Sequence, residues 1–204
     1  MSTYILLDRD GVINRRIVNG YVTSWEQFEF LPRALDALRL LSEHDFKIIV
    51  VSNQAGVSKG LMSSDVLNEL TRLFLKEVAN NGGCIQGVYY CPHQEQDGCN
   101  CRKPKPGLLK AAQRDHHFVF TDTFLIGDSQ RDLMAALQVG CPAILIEPAG
   151  TNLDAQESPS SSDARFPDLY AAAQFILSLR DRKQRSAREE TPSVASGAPA
   201  RSSF

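Results

Sequence analysis

Two aspartates stand where chemistry is possible. Asp8 and Asp10 lie two residues apart in YILLDRDG, Tyr4–Gly11, directly after the apolar run Tyr4 to Leu7. Such a run predicts a short buried strand, and a carboxylate at its end marks where the chain leaves the core. In extended backbone, positions i and i+2 face one side, so both carboxylates share a face. Crowded acids raise one another's pKa unless a cation lies between them. The pair reads either as a capped strand end before a turn at Gly11, or as a magnesium-assisted site in which one aspartate attacks phosphorus.

The second reading assigns specific roles. A phosphate monoester repels nucleophiles with its own charge, so its hydrolysis needs a cation, fixed donors around the phosphoryl oxygens and an in-line nucleophile. Asp8 is the candidate nucleophile, forming an aspartyl-phosphate. Asp10 is placed to protonate the leaving alkoxide and then to deprotonate the attacking water. Magnesium takes oxygen ligands. Asp8 and Asp128 would supply side-chain oxygens, and Asp10 its backbone carbonyl. Asp132 either supports this set from behind or is a first-turn helix acid. The Ser52 hydroxyl and the backbone amides of Asn53 and Gln54 are candidate phosphate donors, although a hydroxyl at a strand end is unspecific alone. Lys103 offers a point charge against the phosphate.

A second constellation follows at Cys91-Pro92-His93 and Cys99-Asn100-Cys101. Three thiolates and one imidazole make a closed tetrahedral set for structural zinc, with no open coordination position. The alternative is a loop of free thiols. Zinc here would pin a long loop and so place Arg102 and Lys103, which directly follow the last ligand. Cys84 and Cys141 read as small buried residues.

These residues need a scaffold that brings strand ends together. Apolar runs predict strands at Phe46–Ser52, Ile85–Tyr90, Thr123–Gly127 and Ala143–Ile146, besides the first. Helical spacing predicts helices over Pro32–His44, from a Ser63 or Ser64 cap to Asn81, and over Pro106–His116, Arg131–Val139 and Pro167–Leu179. Alternating strands and helices predict an α/β fold, a single doubly wound, mainly parallel sheet. Ligands bind such sheets at the carboxyl ends of the strands. Asp8, Asp10, Ser52, Asn53 and Asp128 all fall there, and this convergence favours the magnesium-assisted reading.

The rest of the chain narrows the class. It has 204 residues, 43% hydrophobic, with net charge −2, which suits one domain with a real core and gives no basic excess for nucleic acid. No apolar run approaches membrane-spanning length, and no basic-then-apolar leader precedes the first strand. The expectation is a cytoplasmic monomer acting on a small phosphorylated molecule. Residues 1–180 form the expected domain. Glu147–Arg165 reads as a loop, and 181–204, with five Lys/Arg against three Asp/Glu, as a disordered tail.

DRDG at Asp8–Gly11, SNQAG at Ser52–Gly56, Lys103, and GDSQRD at Gly127–Asp132 resemble the four motifs of the haloacid dehalogenase (HAD) superfamily of phosphotransferases. The resemblance covers about residues 3 to 147 and implies a Rossmann-like fold, an aspartyl-phosphate mechanism and magnesium. CPHQEQDGCNCRKPKPG, GYVTSWEQFEF and SNQAGVSKG are further similar to the heptose-1,7-bisphosphate 7-phosphatase branch, whose members lack a large cap domain. That similarity implies that Asn19, Gly20 and Tyr21, with Arg102, frame the sugar and its distal phosphate; the alternative for Arg102 is a surface charge. Many members carry Lys after the fourth-motif aspartate, where this chain has Ser129. Two other readings stand beside this one: a histidinol-phosphatase, whose branch shares the zinc loop, and a non-catalytic zinc-stabilised binding module.

Overall fold

A computed structural model describes residues 3–147 and 164–189. The elements run β1 (Tyr4–Leu7), α1 (Ala34–Glu43), β2 (Lys47–Asn53), α2 (Ser64–Asn80), β3 (Ile85–Cys91), α3 (Gly107–His116), β4 (Phe124–Gly127), α4 (Gln130–Leu137), β5 (Ala143–Ile146), β6 (Ala164–Phe166) and α5 (Leu169–Glu189). The five predicted strands and five predicted helices all form. Their bounds follow local chemistry. Ser63 caps α2 by accepting from the Val66 amide, and Ser129 with Asp132 forms a reciprocal capping box on α4.

The strands make one parallel sheet in the order β3-β2-β1-β4-β5-β6. β1 sits between β2 and β4, with Ile5 opposite Ile48 on one side and Phe124 on the other. The chain winds outward from β1 to β3, then returns to the other side of β1 as β4. That reversal opens a crevice at the carboxyl ends of β1 and β4, which is where Asp8 and Asp128 emerge. Alternate residues Leu6, Ile49, Val51 and Leu125 form one buried face with Leu108, Leu109, Ala112, Ala135 and Ala136 of α3 and α4. Full burial of each such aliphatic side chain contributes about 1.5–3 kcal/mol.

Two long connections matter to the site. The segment after β1 is held by aromatic packing: Phe28 stacks on Phe74 of α2 at 5.5 Å and on Trp25 at 5.2 Å. The segment after β3 carries the cysteines. Both are loops, and among the described residues neither builds a cap domain.

Three expectations need amendment. β6, three residues long, begins in the expected loop Glu147–Arg165 and ends one residue past it; a strand this short leaves no periodic signature. α5 runs to Glu189, ten residues past its expected end, because Arg, Lys, Gln, Ala and Glu are all good helix formers even without an apolar stripe. Cys84 is exposed rather than buried, whereas Cys141 is buried as expected. The rest of the expected loop, 148–163, and of the expected tail, 190–204, lies outside the described residues. The first compact unit, Met1–Ala173, carries the sheet and every residue of the site; the second, Gln174–Phe204, is described only as the remainder of α5.

Candidate active site and metal cluster

Asp8 follows β1, and its amide still donates to the Ile126 carbonyl at 2.9 Å, extending the ladder one residue past the strand. The side chain is thereby fixed over the crevice. Its Oδ1 lies 2.9 Å from Lys103 Nζ. Burial raises the Asp8 pKa, Lys103 opposes that rise, and Asp132 and Asp10 add to it.

Lys103 is itself only 2% exposed. Its ammonium reaches Asp8, donates to the Val51 carbonyl at 2.8 Å, and pairs with Asp132. Burial works against its charge, but the two carboxylates more than offset this and raise its pKa. The other Asp132 oxygen accepts from the Ser129 amide and hydroxyl, the latter at 2.6 Å. Asp132 thus serves both open readings: it caps α4 and holds Lys103 in place. Both its oxygens are engaged by these partners.

Asp10 has its own set of partners. Its Oδ1 accepts from Asn14 Nδ2 at 2.8 Å, its Oδ2 from Gln54 Nε2 at 2.6 Å, and both oxygens lie 3.0 Å from Arg9 Nη2. Asp128 accepts from Arg16 Nη1 at 3.1 Å. Burial, followed by the charges of Asp8 and Asp132, pushes the Asp128 carboxyl up to about 7, against the pull of Arg16. Gly11, at φ +94°, packs directly on Asp128; a Cβ there would sit 2.0 Å from Oδ2.

Carboxylate oxygens of Asp8, Asp128 and Asp132 lie within 4.8 Å of one another. Asp8 and Asp128 are the two whose carboxyls burial and mutual repulsion raise. A hard divalent cation between them relieves that repulsion, so this oxygen set fits magnesium.

A cavity of about 330 Å³ opens above these groups. Of the residues expected to meet substrate, Asp8, Asp10, Asn19, Gly20, Tyr21, Ser52, Asn53, Arg102 and Lys103 line it. Gln54 does not. Its amide donates to the Cys91 carbonyl at 2.7 Å, because β2–β3 pairing continues one residue past the strand, and its side chain is committed to Asp10. The expected phosphate donor at Gln54 is therefore corrected to a buried partner of Asp10. Asn53 carries a second duty: its side chain exchanges hydrogen bonds with the backbone N–H and C=O of Lys103, each 3.0 Å. Arg16, Lys59 and Arg131 also line the cavity and were not singled out from sequence. The signal was present for two of them, since Lys59 and Arg131 lie within or just after recognised motifs.

Cys91, His93, Cys99 and Cys101 converge just ahead of Arg102 and Lys103, which line this cavity. Their sulfurs are 3.2–3.6 Å apart, and His93 Nδ1 lies 3.3 Å from Cys101 Sγ and 3.6 Å from Cys91 Sγ. Zinc–sulfur bonds of 2.3 Å in a tetrahedron give edges of about 3.8 Å, so this cluster fits a four-coordinate zinc. The loop is clamped further. Arg102 Nη1 donates to the His93 carbonyl at 3.1 Å, and Lys105 Nζ donates to the Cys99 carbonyl at 2.7 Å. Gly107 approaches so closely that a Cβ would lie 2.2 Å from the Asn100 carbonyl oxygen. The cluster and clamps together aim Arg102 and Lys103 at the crevice.

Comparison with known proteins agrees with this geometry. Residues 100–172 match the HAD-hydrolase-like family model. A D-glycero-beta-D-manno-heptose-1,7-bisphosphate 7-phosphatase of Bordetella bronchiseptica is 34% identical over 174 residues, 85% of this chain and 97% of that protein. A D-glycero-alpha-D-manno-heptose-1,7-bisphosphate 7-phosphatase of Mycobacterium tuberculosis is 39% identical over 170 residues, 83% of this chain and 88% of that protein. The crystal structure of the B. bronchiseptica D,D-heptose 1,7-bisphosphate phosphatase with magnesium and phosphate superposes with a TM-score of 0.82 at 33% identity, covering 87% of this chain and 99% of that one. With its parallel sheet, its two aspartates over the β1–β4 crevice and these relatives along most of its length, the chain belongs to the heptose-1,7-bisphosphate 7-phosphatase family of HAD-like hydrolases.

Proposed function

We propose that this chain hydrolyses the 7-phosphate of a D-glycero-D-manno-heptose 1,7-bisphosphate. The observation that carries the reading is Asp8 Oδ1 held 2.9 Å from a fully buried ammonium, Lys103 Nζ, at the floor of a cavity that Asp10 and Asp128 also line. Asp8 attacks phosphorus, and the leaving sugar alkoxide takes its proton from Asp10. A water then attacks the aspartyl-phosphate, Asp10 recovers a proton from it, and Asp8 and inorganic phosphate are released. Lys103 and Ser52 face the phosphoryl oxygens. Magnesium, held by Asp8, Asp128 and the Asp10 backbone carbonyl, supplies charge neutralisation when bound.

Besides Lys103, Arg16, Lys59, Arg102 and Arg131 give the cavity four further cationic side chains, which suits a substrate with a second phosphate. Zinc at Cys91, His93, Cys99 and Cys101 is structural in this reading. Its thiolate ligands fit a reducing, cytoplasmic setting, and the described residues contain no helix long and apolar enough to cross a membrane. We read the working unit as a monomer.

Phosphate release with magnesium from both anomers of heptose 1,7-bisphosphate, histidinol phosphate and hexose bisphosphates tests the proposal. A preference of at least tenfold in kcat/KM for a heptose bisphosphate supports it, and the better anomer names the substrate. Preference for histidinol phosphate overturns the substrate while keeping the chemistry. No release from any of them, with metals bound, leaves the binding-module reading in its place.

A further inference from the structure

Arg9 stands between the two aspartates and is the largest fully buried side chain among the described residues, only 1% exposed. Its guanidinium carbon lies 5.7 Å from the ring centroids of both Phe28 and Tyr90. One nitrogen, Nη2, donates to both oxygens of Asp10. The Tyr90 side chain also supports the guanidinium charge, while Nε and Nη1 have no well-aligned acceptor among the described residues.

Burial works against the Arg9 charge, and Asp10, followed by Tyr90, offsets it. A buried ion whose nitrogens are incompletely matched carries a desolvation penalty. Two aromatic faces offset part of it. An apolar side chain of the same length would fill the slot between the rings with no such penalty. The one thing it would not do is hold Asp10.

The neighbours point the same way. Asn14 and Gln54, both 0% exposed, turn their amide nitrogens onto Asp10 and leave their own carbonyl oxygens, Asn14 Oδ1 and Gln54 Oε1, without donors. Three buried side chains, each incompletely satisfied, converge on one carboxylate. Groups that forgo their own hydrogen bonds to orient another are what a positioned site requires.

We propose that Arg9 is a positioning residue that, with Asn14 and Gln54, locks the Asp10 carboxylate in the orientation from which it exchanges a proton with the leaving group and the attacking water. Arg9 does not line the cavity, so it acts through Asp10 and not on substrate. The inference rests on the reading of Asp10 as the acid–base group.

The test is a double-mutant cycle on kcat with Arg9→Met and Asp10→Asn, using the preferred bisphosphate in magnesium. Met keeps the length and suits the aromatic slot. Arg9→Met alone is expected to lower kcat about 10- to 100-fold, the scale of a misplaced catalytic group, with KM within twofold. In the Asp10→Asn background the same change is expected to cost less than twofold, since there is no longer a proton-transfer group to position. Equal loss in both backgrounds assigns Arg9 a merely structural role and overturns the proposal. Partial unfolding of the variant produces that same equal loss, so the cycle stays decisive. An unchanged kcat in Arg9→Met also overturns it. If Asp10→Asn alone leaves kcat intact, the acid–base reading of Asp10 fails, a result separate from either outcome for Arg9.

Discussion

Lys103 Nζ sits 2.9 Å from Asp8 Oδ1, and this short ion pair joins the first strand to a residue that directly follows the cysteine cluster. The ammonium has no exposure with which to recover solvation elsewhere, so it and the nucleophile depend on each other. Lys103→Met is expected to leave Asp8 and Asp132 as neighbouring buried acids without a counter-ion. Urea denaturation should register a loss of about 3–5 kcal/mol. Steady-state kinetics on the folded fraction should register a fall in kcat of about 10²–10³-fold.

Asp8→Asn preserves shape and the backbone hydrogen bond to Ile126 while removing the proposed nucleophile. Turnover should drop by at least about 10⁴-fold in a variant that circular dichroism still shows folded. Residual activity near the parent level would sink Asp8 as nucleophile.

Asp128 links pH to metal binding. Its folded pKa, pushed up to about 7, lies above its ordinary value of 3.8. Between those values the folded chain holds a proton that the unfolded chain has already released, so stability falls as pH rises through that window in metal-free protein. Magnesium must displace this proton. Calorimetric titration should show apparent magnesium affinity rising about tenfold per pH unit below 7 and levelling above it, with thermal stability at pH 8 recovered by the metal.

Gly11→Ala tests the packing under Asp128. The new methyl would collide with the Asp128 carboxylate, and the left-handed backbone adds about 1–2 kcal/mol of strain. The magnesium concentration for half-maximal activity should rise at least about tenfold. Unchanged magnesium dependence would show that Asp128 is not a ligand.

Cys101→Ser removes a ligand next to Arg102. Metal analysis of the purified parent should find one zinc per chain, and the variant should lose it. With Arg102 no longer fixed, KM for a bisphosphate should rise about tenfold, equivalent to about 1.4 kcal/mol of lost binding. The KM for a monophosphate should change less, because Arg102 faces the cavity away from the reacting phosphate in the proposed reading.

The sequence by itself determined the scaffold and which polar residues stand at its strand ends. Runs such as Tyr4–Leu7 and Phe46–Ser52 are apolar on both faces, and a strand so composed has few stable places other than the middle of a covered sheet. Asp8, Asp10, Ser52 and Asp128 inherit their positions from the ends of those strands. The four zinc-type ligands are close in sequence, so their convergence needs only one loop. What tertiary structure decided were the relations among distant segments. Gln54 was legible as a residue at a strand end, but its amide belongs to Cys91 and its side chain to Asp10, because strand pairing runs on past β2. Lys103 was legible as a cation, but its burial among Asp8, Val51 and Asp132 depends on two strands, one helix and one loop meeting. Arg9 was the least legible. An arginine between two aspartates looks like surface charge, and only the packing of Phe28 from one loop and Tyr90 from β3 encloses it. Local periodicity records which face of an element is apolar; it holds no record of which side chains from other elements will close over a polar one.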